Sequence, residues 1–211
     1  MARRLRIVGL LIVWVGMASC VIPKGEYRAG VFLHQAPNYS FRLPEGWRPA
    51  RASDSGVLGF AEPYRKVFAE STLEQFLAAR LALYDASLVS PGGAFVAVAR
   101  TAPLPPNVRL APGAVLPEAL KPAAWEFAVK ELVRTTPGTS PRDFQQEEIT
   151  LRQYGANTGL VVQYQYRQIS WTQVEFPGPG YSVAFLHAGS MSDRNLDREG
   201  FESILRSFRF D

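Results

Sequence analysis

This chain is short of the residues that most often carry chemistry. It has one cysteine and two histidines in 211 residues, so neither an internal disulfide framework nor a Cys/His zinc motif can be written on it. It contains no Cys-x-x-Cys or His-x-x-x-His pair, and no glycine-rich phosphate loop running into Lys-Ser or Lys-Thr; Gly92-Gly93 is too short for one. No metal and no cofactor are expected. Long apolar runs are confined to the N-terminus, which excludes a multi-span membrane protein. The 47% hydrophobic content excludes wholesale disorder. An excess of one charge is also missing. The formal +4 includes Arg3, Arg4 and Arg6, and without them 20 basic residues face 19 acidic ones. A near-neutral chain is a poor ligand for phosphate backbones, so no nucleic-acid partner is expected.

What is present is clearest at the N-terminus. Three arginines in residues 1–6 precede an apolar run over 7–17, followed by Ala18, Ser19 and Cys20. A cationic start, a short apolar run and small residues at a processing site make a secretory leader. The apolar stretch 7–22 ends at Pro23 and Lys24, short of the roughly 18 to 20 residues that span hydrocarbon.

The tetrad Met17-Ala18-Ser19-Cys20 resembles a bacterial lipobox, with Met17 where leucine is usual. The resemblance implies lipid addition to the Cys20 thiol, cleavage just before it and acylation of the new amino terminus. A lone thiol in an exported chain has no internal disulfide partner, which agrees with a lipid handle. Residues 1–19 are then the signal peptide and 20–29 a lipidated tether. Two or three acyl chains on one residue hold a membrane permanently, where one binds marginally at about 0.8 kcal/mol per buried CH₂. The expected location is the cell envelope, on its periplasmic or extracellular face. Val21 lacks the aspartate retention signal, which favours an outer membrane where two membranes exist.

Residues 30–211 read as one globular domain. Alternation predicts strands over 31–34 and 39–43, with a further short strand over 57–60. Ser71-Thr72-Leu73-Glu74 has capping-box spacing ahead of a helix over 72–84. Residues 94–100 read as a buried strand. Five prolines in 102–117 exclude regular structure there. A second helix opens at Pro117, or alternatively at Pro122, and stops at Pro137-Gly138. Residues 145–154, 160–168, 171–176 and 181–187 form an antiparallel meander, and Phe201, Ile204, Leu205 and Phe208 mark a terminal helix. This is an α+β domain with helices covering an antiparallel sheet.

The segments Asn38-Tyr39-Ser40-Phe41-Arg42-Leu43-Pro44-Glu45-Gly46-Trp47 and Phe201-Glu202-Ser203-Ile204-Leu205-Arg206-Ser207-Phe208 together resemble PsbP-like domains. The resemblance implies an α-β-α sandwich around a central antiparallel sheet. It also implies action by binding a partner, without catalysis. In packing terms, Trp47 is aimed at the core by the turn before it, and Phe208 plugs the sheet end.

Candidate reactive groups are few. His187 lies near Ser190 and Asp193, the nearest approach to a hydrolase-like trio, and His34 stands alone. Glu147 and Glu148 adjoin on a strand and point to opposite faces, so they cannot act as an acid/base pair. Arg194 and Arg198 interleave with Asp193, Asp197 and Glu199 as a mixed surface. Gln163, Gln165, Arg167, Trp171 and Gln173 offer an adaptable recognition surface, against the plainer reading of a solvated or helix-covered sheet face. The leading expectation is a lipid-anchored, non-catalytic binding or assembly module with an envelope protein as partner. A small-ligand carrier with a pocket lined by Trp125, Tyr164, Tyr166 and Phe185 is the alternative, and a hydrolase-like enzyme using His187 is the third reading. Cys20→Ala should abolish incorporation of labelled fatty acid and move the chain from the membrane pellet to the soluble fraction. Wild-type protein that takes up no label would overturn the lipobox reading.

Overall fold

A computed structural model describes residues 25–35, 38–55, 57, 70–104, 110–111, 113–135, 139–166, 169–189 and 194–211. The leader and Cys20 lie outside these residues, as do 58–60 of the expected third strand and part of the proline-rich stretch.

Strands β1 (Glu26–Arg28), β2 (Val31–Gln35), β3 (Asn38–Arg42) and β4 (Arg48–Pro49) come first. Helix α1 (Glu70–Leu81) follows, then β5 (Ala86–Val89) and β6 (Phe95–Thr101). A 3-10 turn at Glu118–Leu120 leads into α2 (Lys121–Thr135), and a second at Pro141–Asp143 leads into the meander β7 (Phe144–Tyr154), β8 (Asn157–Tyr166), β9 (Ile169–Gly178) and β10 (Tyr181–Gly189). Helix α3 (Arg194–Ser207) and β11 (Arg209–Phe210) complete the chain.

The later of the two expected starts for α2 is the observed one. Pro122 sits in the first turn, where a missing N–H costs nothing. Val57, expected in a strand, is helical and buried. β1 pairs with β2 inside the stretch expected to be tether.

Two antiparallel sheets result. The larger has the order β4-β5-β6-β10-β9-β8-β7, and the smaller β1-β2-β3-β11. The interior strands of the large sheet are apolar on both faces, as in Leu160, Val161 and Val162 of β8, each fully buried. Such a sheet needs cover on both sides. On one face α1 and α2 bring Leu73, Leu77, Ala124, Ala128 and Leu132 against Phe95, Val162, Tyr164 and Trp171. On the other, the small sheet and α3 bring Phe32, Phe41, Phe201, Ile204 and Leu205 against Val98, Val161, Val174 and Phe185.

Both aromatic fold markers are packing residues. Phe208 stacks on Phe176 at 4.8 Å and meets Phe185 edge-on at 5.2 Å. Trp47 follows a turn closed by its own N–H donating to the Pro44 carbonyl, and it lies against α3 where a Cβ on Gly200 would come within 2.5 Å of the indole nitrogen. That contact accounts for a glycine in the helix interior. Among the described residues no helix is long and apolar enough to cross a membrane.

His187 lies under α3, its ring stacked on Phe201 at 4.7 Å. Burial lowers its pKa from 6.5 to about 4, partly opposed by the charge of Asp197. Folded protein therefore holds the imidazole neutral while unfolded chain protonates it below about 6.5. The stability this contributes is fully present above pH 6.5 and is lost as pH falls toward 4, by up to about 3 kcal/mol. His187→Phe should flatten that part of the slope, measured as the difference between urea midpoints at pH 7 and pH 4.5 in the two proteins.

Candidate functional site

The sequence-predicted recognition residues do not share one surface. Tyr164 pairs with Trp171 and Val162 with Gln173, whereas Gln163 pairs with Thr172 and Gln165 with Ser170. Trp171 and Gln173 therefore belong to the face under α1 and α2, and both are buried. Gln163 and Gln165 are partly exposed on the opposite face. There Gln165 donates to Glu147 at 2.8 Å. Arg167 lies outside the described residues.

The expected carrier lining divides in the same way. Trp125, Tyr164 and Tyr166 sit together under the helices, and Phe185 belongs to the other core. Of the hydrolase-like trio, Ser190 and Asp193 are outside the described residues, and His187 is packed as described above. Asp197, read as part of a mixed surface, is instead 3% exposed. It packs so closely on the turn before β6 that a Cβ at Gly92 would lie 2.8 Å from either carboxylate oxygen. Arg198 pairs with Glu202 on the outer side of the same helix.

The structure assembles a polar cluster that the sequence did not announce, around Asp85 at the end of the turn after α1. Alternation in β2 turns Phe32 and His34 inward, and β2–β3 pairing sets His34 opposite Tyr39. Their rings lie parallel, 4.9 Å apart. The Tyr39 hydroxyl donates to Asp85 Oδ2 at 2.9 Å. Arg100, at the end of β6, donates from Nε to Oδ2 at 3.2 Å and from Nη2 to Oδ1 at 3.4 Å. His34 Nε2 stands 3.6 Å from Oδ1. Burial, then the adjacent Asp85 charge, pushes the Tyr39 phenol far above its ordinary range, so it remains a donor.

A phenol and a guanidinium satisfy the carboxylate, and neither is a nucleophile. What this arrangement does is join β2 and β3 of the small sheet to β5 and β6 of the large one. Asp85 also borders an open cavity of about 400 Å³ between the last turn of α1, the β4–β5 edge and Tyr27. That volume is in the range of small-molecule sites.

A second polar group lies on the helix-covered face. Glu175, fully buried, accepts hydrogen bonds from Gln173 Nε2 and from Thr101 Oγ1, the latter at 3.2 Å. Ser182 Oγ accepts the Leu104 N–H at 3.2 Å and so fastens the start of the proline-rich stretch to the sheet end. Among the described residues, no group of three or more His, Cys, Asp or Glu side chains is placed to hold a metal ion.

Tyr39→Phe should cost about 1–2 kcal/mol, and Asp85→Ala about 3 kcal/mol, since removing one partner strands the others. The second figure is at the low end because the Arg100 side chain is 31% exposed and can be hydrated. Urea unfolding of both variants and of the double variant checks this. A double variant no worse than Asp85→Ala alone is the expected result.

No family model and no curated protein matches the sequence. Among solved structures, the chain is similar to the cyanobacterial PsbP (CyanoP) of Synechocystis sp. PCC 6803, with a TM-score of 0.50 and 11% identity over 93% of this chain and 99% of that one. LpqN of Mycobacterium tuberculosis, described as involved in cell envelope biogenesis, aligns over 81% of each chain with 12% identity and a TM-score of 0.38. Two-sided cover of an antiparallel sheet and the end-to-end match to CyanoP give this chain a PsbP-like α+β fold.

Proposed function

We propose that this protein is an exported lipoprotein, anchored through Cys20, whose PsbP-like domain works as a non-catalytic binding or assembly module of the cell envelope. The observation that carries the reading is the tetrad Met17-Ala18-Ser19-Cys20 placed between an apolar run and the first strand of the folded domain. A lipid on Cys20 leaves only residues 21–24 before Gly25, which is held in place: a Cβ there would overlap the Phe32 ring. The tether reaches about 17 Å when extended, at ~3.3–3.6 Å per residue, which keeps the domain at the bilayer surface. The non-catalytic part draws on the Asp85 cluster, whose strongest groups are spent on one another in joining the two sheets.

The test is mass spectrometry of the mature N-terminus together with crosslinking in intact cells from exposed positions such as Gln145 and Leu83. The expected outcome is an acylated Cys20 as first residue. The full chain is also expected to give a discrete crosslinked protein that a version beginning at Val21 gives weakly. A retained leader or an unmodified thiol overturns the anchoring, and crosslinks unaffected by removal of Cys20 overturn the dependence of binding on the anchor.

A further inference from the structure

The face of the large sheet beneath α1 and α2 carries buried polar atoms with nothing to bind. Gln173 donates its amide to Glu175, but its carbonyl Oε1 has no hydrogen-bond partner. The same holds for the Tyr164 hydroxyl, Ser87 Oγ, and Nε and Nη2 of Arg80. Gln173 and Tyr164 are each 1% exposed and Arg80 is 9% exposed. Leaving a buried polar group unpaired is destabilising, more so where it is charged, so native proteins seldom keep several together without an occupant.

Sheet register and helix geometry place these groups on the surfaces that face each other between α1 and the large sheet. Val162, Gln173, Leu186, Ala97 and Ser87 form one row across β8, β9, β10, β6 and β5. Around Leu186 the neighbouring positions on this face are alanines, Ala97 and Ala99 of β6 and Ala184 and Ala188 of β10, with Phe95 opposite Ala188 at their end. Above them, Leu73, Leu77 and Tyr84 define the buried stripe of α1 and the turn after it. At about 100° per residue, Ala78 and Leu81 fall on one flank of that stripe and Arg80 on the other. Ala78 and Leu81 line the open cavity at the β4–β5 edge, so Arg80 leaves α1 on the flank away from that edge, where it is buried.

We propose that Arg80, Gln173, Tyr164 and Ser87 line a binding site between α1 and the sheet for a small organic carboxylate that has an apolar body and a hydroxyl. The adjacent Nε and Nη2 of a guanidinium present two parallel N–H groups, the geometry that matches a carboxylate. The Gln173 carbonyl can only accept, and so requires a donor on the ligand. Leu77, Phe95 and Leu186 supply the apolar surroundings of the body. Ser87 also borders the open cavity under the last turn of α1, so the way in runs on that side.

The test uses the full chain and three probes, 2-hydroxyoctanoate, octanoate and 1-octanol, followed by calorimetric titration and by thermal melting. Wild type should bind 2-hydroxyoctanoate tightest and 1-octanol weakest, and its melting temperature should rise with the hydroxy acid. Arg80→Met should bind both acids at least about tenfold more weakly, the loss of one charge-assisted pair. Without ligand it should melt no lower than wild type, because an apolar side chain replaces an unpaired buried cation. Gln173→Leu, which keeps Arg80, should lose the preference for the hydroxy acid over octanoate. The proposal falls if no probe binds wild type, in which case ordered water serves these groups. It falls too if the three probes bind alike, or if ligand-free Arg80→Met melts well below wild type.

Discussion

A seven-stranded sheet whose interior strands bury both faces cannot stand in water, and the rest of the molecule is arranged around that requirement. Neighbouring positions in β8, such as Val161 and Val162, are fully buried although they point opposite ways. An antiparallel sheet with one wet face would alternate polar and apolar residues instead. Two separate covers follow. Helices α1 and α2 close one side, while the small sheet and α3 close the other, so the chain has two apolar cores divided by a single layer of backbone. The proline-rich connection between β6 and α2 belongs to this scheme, because its start is pinned to Ser182 at the sheet end.

The Asp85 cluster and the polar atoms beneath α1 differ in how they are satisfied. Around Asp85, three groups converge on one carboxylate, and the cluster links strands of both sheets. Breaking it should affect stability before anything else. Under α1 and α2 the polar atoms are not all paired off: Nε and Nη2 of Arg80, the Gln173 carbonyl and the Tyr164 hydroxyl have no hydrogen-bond partner. Burial of this kind lowers stability unless something supplies the missing partners. A satisfied cluster holds a fold together, whereas an unsatisfied one of this size is better explained by binding.

Much of the architecture was legible because periodicity is local. The meander's alternation, the stripe of α1 and the prolines around α2 each need only neighbouring residues to be read. The strand β5 did not show itself because Ala86–Val89 is four residues long and is separated from α1 only by a four-residue turn. The Asp85 cluster was out of reach for another reason, since Tyr39 and Asp85 are 46 positions apart and only the docking of one sheet on the other brings them together. The assignment of Trp171 and Gln173 to a surface with Gln163 and Gln165 failed on parity. Pairing of Tyr166 with Ile169 leaves two residues between the strands, which sets Tyr164 against Trp171. A shift of one residue in register exchanges the faces of a whole strand. The two-residue spacing was present in the sequence and would have corrected the assignment.

The start of the domain connects its two proposed properties. Gly25 and Tyr27 border the cavity beneath α1, and Gly25 stands five residues after Cys20. Anchoring at Cys20 would therefore bring the mouth of that cavity close to the lipid headgroups, because the intervening chain is too short to carry it far. An amphiphilic carboxylate partitions at that same depth, with its head in water and its body in hydrocarbon. The side of the protein that a lipid on Cys20 would draw toward the membrane is thus the side from which such a ligand would arrive.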